Sequence, residues 1–170
     1  MTYTQKDIDD LIKSQKKISD PPKRQMKLVG AHWRNDCKLV ANGVEGEFSV
    51  FIRRSEDFPE NFSIGIVYEP KDGSGEITLL RCNGQHGIFN SSFDPHHAHF
   101  TYHIHRASET AIAHGFKPEK FAENTEDFAS FEGAVQHFVK LINLDPADAR
   151  RYFPDRTVQD KLPFEEGSRS

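Results

Sequence analysis

The sequence predicts an α+β domain: an N-terminal helix, a mainly antiparallel sheet of about five strands, and C-terminal helices packed on one face of it. Three observations carry that prediction. Apolar residues before position 20 recur at helical spacing, residues between His32 and Arg106 alternate between apolar and polar, and helical spacing returns after residue 107. The 170 residues, 36% hydrophobic and 28% charged, suit one domain able to bury a core without disulfides or metal. No window reaches the roughly 18 consecutive apolar residues of a membrane span. Met1 to Asp10 lacks the apolar stretch of a secretory signal, which predicts a cytoplasmic chain. A net charge of -4 gives no bulk attraction to a polyanion. Cys37 and Cys82 cannot form a disulfide framework and have no zinc-site spacing, so they are expected to be reduced core thiols.

The first region, 1–28, has seven basic and four acidic residues and reads as a helix followed by a basic linker. Thr4 and Asp7 have capping-box spacing; Ile8, Leu11, Ile12 and Ile18 approximate one helical face, and Pro21-Pro22 ends the pattern. The second region, 29–144, carries ten basic and sixteen acidic residues and is the expected core domain. His32 to Val40 and Glu47 to Arg53 are strand-like runs joined by an Asn42-Gly43 hairpin signal, with Trp33 expected in the core. Phe62 to Tyr68 and Glu76 to Cys82 follow, joined through Lys71-Asp72-Gly73-Ser74-Gly75. Gln85 to His99 reads as irregular, and Phe100 to Arg106 as the fifth strand. Turns this short dictate antiparallel neighbours.

Ser108 is placed to cap a short helix through Ile112, and Pro118 to Glu123 reads as another helical turn. Ser130 caps a final helix in which Phe131, Ala134, Val135, Phe138, Leu141 and Ile142 form an apolar stripe. The last region, 145–170, has few apolar groups to offset ordering entropy and reads as a disordered tail.

Composition explains one feature poorly: seven of the nine histidines lie between His86 and His114. His103 and His105 alternate with Tyr102, Ile104 and Arg106, which puts both imidazoles on one polar face, about 6.5–7 Å apart at Cα. Three readings are open. In the first they are half-exposed strand residues with local hydrogen bonds. In the second they chelate a metal, with His86, His99, Glu109 or His114 as the third donor, although no HExxH or paired CxxC motif accompanies them. In the third they are an acid–base pair needing no metal or cofactor. For RNA cleavage one imidazole takes the 2′-hydroxyl proton, the other protonates the leaving oxygen, and Arg81 or Arg106 stabilises the phosphorane, with His86 also placed to assist the phosphate. The core region's net of -6 opposes RNA binding unless the Lys-rich N-terminal region contributes. Against any enzyme stands a protein-interaction module, with the histidines incidental and the sheet edge or the basic N-terminal segment contacting a protein partner or a second copy.

Three runs carry a resemblance: Asn61-Phe62-Ser63-Ile64-Gly65, Leu80-Arg81-Cys82-Asn83-Gly84-Gln85-His86, and His103-Ile104-His105-Arg106-Ala107-Ser108-Glu109. With the closing helix from Ser130 to Leu144, they resemble an uncharacterised bacterial domain-of-unknown-function family over about Asp7 to Leu144. More distantly the layout is similar to TumE-like toxins of toxin–antitoxin pairs. In both, a strand ends in an Arg-x-Asn-like turn, a His-containing segment follows, and an acidic-aromatic helix closes the domain. The longer N-terminal helix and the C-terminal tail depart from that layout. The first family has no established activity to transfer, so the resemblance implies the domain limits and a bacterial toxin-like or defence-associated role, with an antitoxin as the partner such a role would have, and transfers no catalytic residue.

Overall fold

A computed structural model describes residues 2–85 and 101–156. The chain opens with helix α1 (Gln5–Lys13), whose expected capping box forms: the Asp7 amide donates to Thr4 Oγ1 and the Thr4 amide to Asp7 Oδ2. Strands β1 (Lys16–Asp20), β2 (Lys27–Val29), β3 (His32–Ala41), β4 (Gly46–Ser55), β5 (Phe62–Pro70), β6 (Ile77–Asn83) and β7 (His103–Arg106) follow. Then come α2 (Glu109–Ala113), β8 (Ala122–Asn124), α3 (Phe131–Leu141) and α4 (Pro146–Tyr152).

The α+β class is as expected, but the described residues form eight strands rather than five. They make one antiparallel sheet ordered β1-β3-β4-β5-β6-β7-β8, with β2 also pairing β3. The extra strands are short and take their pairing from longer neighbours. β1 and β2 replace the expected basic linker, so Ile18 lies on a strand, not on the helical face. β8 replaces the helical turn expected at 118–123. Four hairpin-linked strands, β3 to β6, stand close to where the alternation put them, whereas β7 starts later than expected, at His103.

The two faces of the sheet differ. Register sets Cys37, Val50, Ile66 and Leu80 in one cross-strand row and Ile52, Ile64, Cys82 and Ile104 in the next, all buried. Side chains directly opposite in antiparallel strands share a face, so these rows form one apolar surface. α3 packs over β5 and β6, and α1 over β6, covering it. Ala134, Phe138, Val139 and Ile142 supply the helical side of that core. Ser130 caps α3 as expected, accepting from the Gly133 amide.

Three further corrections concern the ends of the sheet. Trp33 is 36% exposed at the start of β3, opposite Leu28 of β2, rather than in the core. Residues 145–156 are ordered as α4 and its exit, not a disordered tail. Asp148 Oδ2 accepts from the Ile18 amide, and Gln136 Nε2 donates to the Phe153 carbonyl. Residues 157–170 lie outside the described residues. Finally, Lys16, in the stretch read as helix and basic linker, is fully buried. Its ammonium donates to the carbonyls of Ile12, Ser14 and Ile142, which end α1 and α3, and lies 4.8 Å from the Phe48 ring centroid. Burial lowers its pKa from 10.5 to about 7. Among the described residues no helix is long and apolar enough to cross a membrane.

Candidate functional site

The second face of the sheet holds the sequence-predicted site. His103 and His105 alternate with Ile104 on β7, so both imidazoles leave the strand on the side opposite the apolar core. Their ring centroids are 5.2 Å apart at an interplanar angle of 69°. Shared direction is as expected, but exposure is not: His103 is 0% and His105 6% exposed, so the pair is buried rather than set on a solvated surface.

Each ring is tied at Nδ1. His103 Nδ1 lies 2.8 Å from the Thr101 carbonyl and His105 Nδ1 3.0 Å from the Glu119 carbonyl. A carbonyl oxygen only accepts, so Nδ1 carries the proton in both rings and Nε2 holds the lone pair of the neutral form. The loop that presents Glu119 is fixed in turn, because the Ser108 amide donates to the Pro118 carbonyl.

β6 supplies the neighbours. Arg81 stands directly opposite His105, and Asn83 opposite His103. Arg81 is therefore on the histidine face, while Arg106 pairs with Leu80 and is exposed on the other parity. Gly65 of β5 makes room for it. A Cβ there would collide with the Phe51 ring and come within 2.9 Å of Arg81 Cγ, so the arginine stem lies over bare backbone. Arg81 Nη2 is 4.0 Å from Glu119 Oε1, a loose ion pair, and its Nε has no hydrogen-bond partner among the described residues. Burial pulls the guanidinium below its ordinary pKa and the Glu119 carboxylate opposes the shift.

Asn83, Ser63, Asn124, Thr101 and Glu119 were missed in the sequence. Ser63 Oγ donates to Asn83 Oδ1 at 2.8 Å, and Thr101 Oγ1 to Asn124 Oδ1 at 2.7 Å. Asn83 is two residues from Arg81 on the same strand, and that alternation was a usable signal. Glu119 sits in a loop with no period, and nothing in the sequence points to it. His86, His97 and His99 lie outside the described residues, so the part assigned to His86 does too.

Two suggested third metal donors are engaged elsewhere. Glu109 accepts from the Gln5 amide, and His114 Nδ1 lies 2.8 Å from the Thr110 carbonyl with its ring stacked on Phe116. Among the described residues no group of three His, Cys, Asp or Glu side chains could hold a metal ion. Cys37 and Cys82 are buried on the apolar face, where desolvation raises both thiols to about 12. No family model, curated protein or solved structure matches the chain.

Proposed function

We propose that the protein is a metal-independent ribonuclease of toxin-like character, with His103 and His105 as the acid–base pair and Arg81 beside the reacting phosphate. The observation that carries this reading is the pair itself: two rings 5.2 Å apart, each with its Nδ1 proton held by a backbone carbonyl. That hydrogen bonding aims Nε2 as base on one ring and, when protonated, as acid on the other. In the reaction the neutral imidazole takes the 2′-hydroxyl proton and the 2′-oxygen bonds to phosphorus. The phosphorus–5′-oxygen bond then breaks, and the imidazolium protonates the departing oxygen. The products are a 2′,3′-cyclic phosphate and a 5′-hydroxyl. Arg81, only loosely paired with Glu119, offsets charge building on the phosphorane.

The test is cleavage of a fluorescent oligoribonucleotide in excess chelator. The expected rate falls by about 10²–10⁴ in His103→Gln and in His105→Gln, with a 2′-deoxy substitution at the scissile position blocking turnover. Far-UV circular dichroism confirms that each variant folds. Wild-type rates in both folded variants overturn the assignment.

A different observation supports a second reading, a protein-interaction module. β8, three residues long, ends the strand order and lies close in sequence to Phe116 and Phe121, which are 38% and 46% exposed and pack edge to face. An edge strand near exposed aromatic surface suits pairing with an antitoxin or with a second copy. Size-exclusion chromatography after co-purification separates the readings: a stoichiometric complex lost in Phe121→Asp supports the module, and a monomer without a partner counts against it.

A further inference from the structure

On the helix-covered side of the sheet, a cleft of about 410 Å³ opens between the 22–26 segment, α3 and the exit of α4. That volume falls in the range of small-ligand pockets, about 300–1,000 Å³. Four cations line it, Lys23, Arg24, Arg54 and Arg156, against one carboxylate, Glu132, in a chain whose overall charge is -4. Phe131 and Tyr152 contribute ring surface.

The cleft is built rather than incidental. Arg54 forms part of its lining: Nε donates to the Pro59 carbonyl at 2.9 Å, and the guanidinium carbon lies 4.5 Å from the Phe131 ring centroid. One wall is pinned by Asn35, whose amide accepts from the Lys23 N–H and donates to the Lys23 carbonyl, both at 3.0 Å. The opposite wall is held by the Gln136 bond to Phe153. Lys23, Arg24 and Arg156 are exposed and form no ion pair among the described residues. Two of them belong to the Lys-rich N-terminal region, the part of the chain that RNA binding would need.

We infer that this cleft binds single-stranded RNA, with Arg24, Lys23 and Arg156 on phosphates and the Arg54–Phe131 platform beneath a base. Cations interleaved with aromatic rings suit a nucleotide strand, since every base has a face to stack and every linkage a charge to neutralise. An extended peptide would instead need open backbone groups, and those of Lys23 are taken by Asn35. The cleft and the histidine pair lie on opposite faces of the sheet. Arg54 is followed on the other face of β4 by Arg53, and Arg53, Ser63, Asn83 and His103 form one cross-strand row. As a substrate subsite the cleft rests on the ribonuclease reading; as an RNA-binding site it does not.

The experiment measures anisotropy of a labelled 2′-O-methyl oligoribonucleotide, which cannot be cleaved, against the full native chain and against the triple variant Lys23→Glu, Arg24→Glu, Arg156→Glu. The expected result is a Kd at least tenfold higher in the variant. Its slope of log affinity on log salt should be shallower by about 2, near 0.7 for each lost phosphate contact. Unchanged affinity and slope overturn the proposal, and so does tighter binding of poly-glutamate than of RNA. Cleft-dependent binding by a chain that cleaves no RNA supports the cleft and overturns the catalytic reading. Wild-type cleavage of a dinucleotide by the triple variant, with slower cleavage of a long strand, supports both.

Discussion

Lys16→Met separates the two roles of the buried ammonium, and its effect depends on pH in a calculable way. Methionine keeps most of the aliphatic stem and removes the donor that Ile12, Ser14 and Ile142 share. A neutral amine has two N–H groups for the three carbonyls, so at about 1 kcal/mol for each bond removed about 2 kcal/mol is lost where the amine is neutral in both the folded and the unfolded chain. Below that range the native lysine carries a penalty of its own. With its pKa near 7 when folded and 10.5 when unfolded, the unfolded chain binds more protons between those values. Stability from this group therefore rises with pH across that window, and the gain between pH 7 and pH 9 is about 2 kcal/mol. The variant lacks this slope. Because the unfolded lysine is still charged, deprotonating it offsets about 2 kcal/mol at pH 9 and about 4 kcal/mol at pH 7, so the variant should lie level with wild type at pH 9 and about 2 kcal/mol above it at pH 7. The assay is urea unfolding followed by far-UV circular dichroism at pH 6, 7, 8 and 9. Other titrating groups are common to both proteins and cancel in the difference. A difference independent of pH would show that the three carbonyls and the Phe48 face hold the ammonium charged, and would refute the reasoning.

Gly84→Ala should lower Tm by about 6–12 °C, about 3 kcal/mol, because the new Cβ collides with the Glu60 carbonyl oxygen and comes within 2.6 Å of the Phe62 ring. Differential scanning calorimetry reads it. At Gly65 the collision is with the movable Phe51 ring and with Arg81, so Gly65→Ala should cost only about 1–3 kcal/mol yet slow RNA cleavage by tenfold or more as the guanidinium is displaced. With both thiols raised to about 12, Cys37 and Cys82 should resist a thiol reagent at pH 8 and titrate fully in urea. Their sign is opposite to that of Lys16: the unfolded thiols ionise first, so stability falls above about pH 9. Ser130→Ala removes the bond to the Gly133 amide and should cost about 1 kcal/mol in urea unfolding.

Long periodic elements and helix caps were legible in the sequence. The alternation of β3 to β6, the Thr4–Asp7 box and the Ser130 cap each encode their structure within a few residues. What escaped was structure imposed from a distance. Ala122-Glu123-Asn124 has no strand-forming residue and is extended because β7 pairs with it. Lys16 breaks the alternation of β1 with a charge, and only the carbonyl ends of two helices make its burial intelligible. Trp33 has the parity of Cys37 and Leu39 but stands at the start of β3 opposite Leu28, where the side chain is 36% exposed. At the site, parity gave the shared direction of His103 and His105, but the place of Arg81 opposite His105 comes from the pairing of β6 with β7 across residues 84–102, which no short turn announces. The burial of both imidazoles and the Glu119 carbonyl depend on a loop with no period to read.

The backbone of β1 is completed from the far end of the chain. The Lys16 amide donates to the Asn143 carbonyl, the Asp145 amide to the Lys16 carbonyl, and the Ile18 amide to the Asp148 carboxylate. During synthesis, then, a strand made among the first twenty residues waits for a stretch made more than a hundred residues later. Until that stretch leaves the ribosome, the nascent sheet carries an unsatisfied margin able to pair with any extended neighbour. A chain stalled before residue 143 would be a sticky intermediate, and chaperone capture during translation should end once α4 emerges.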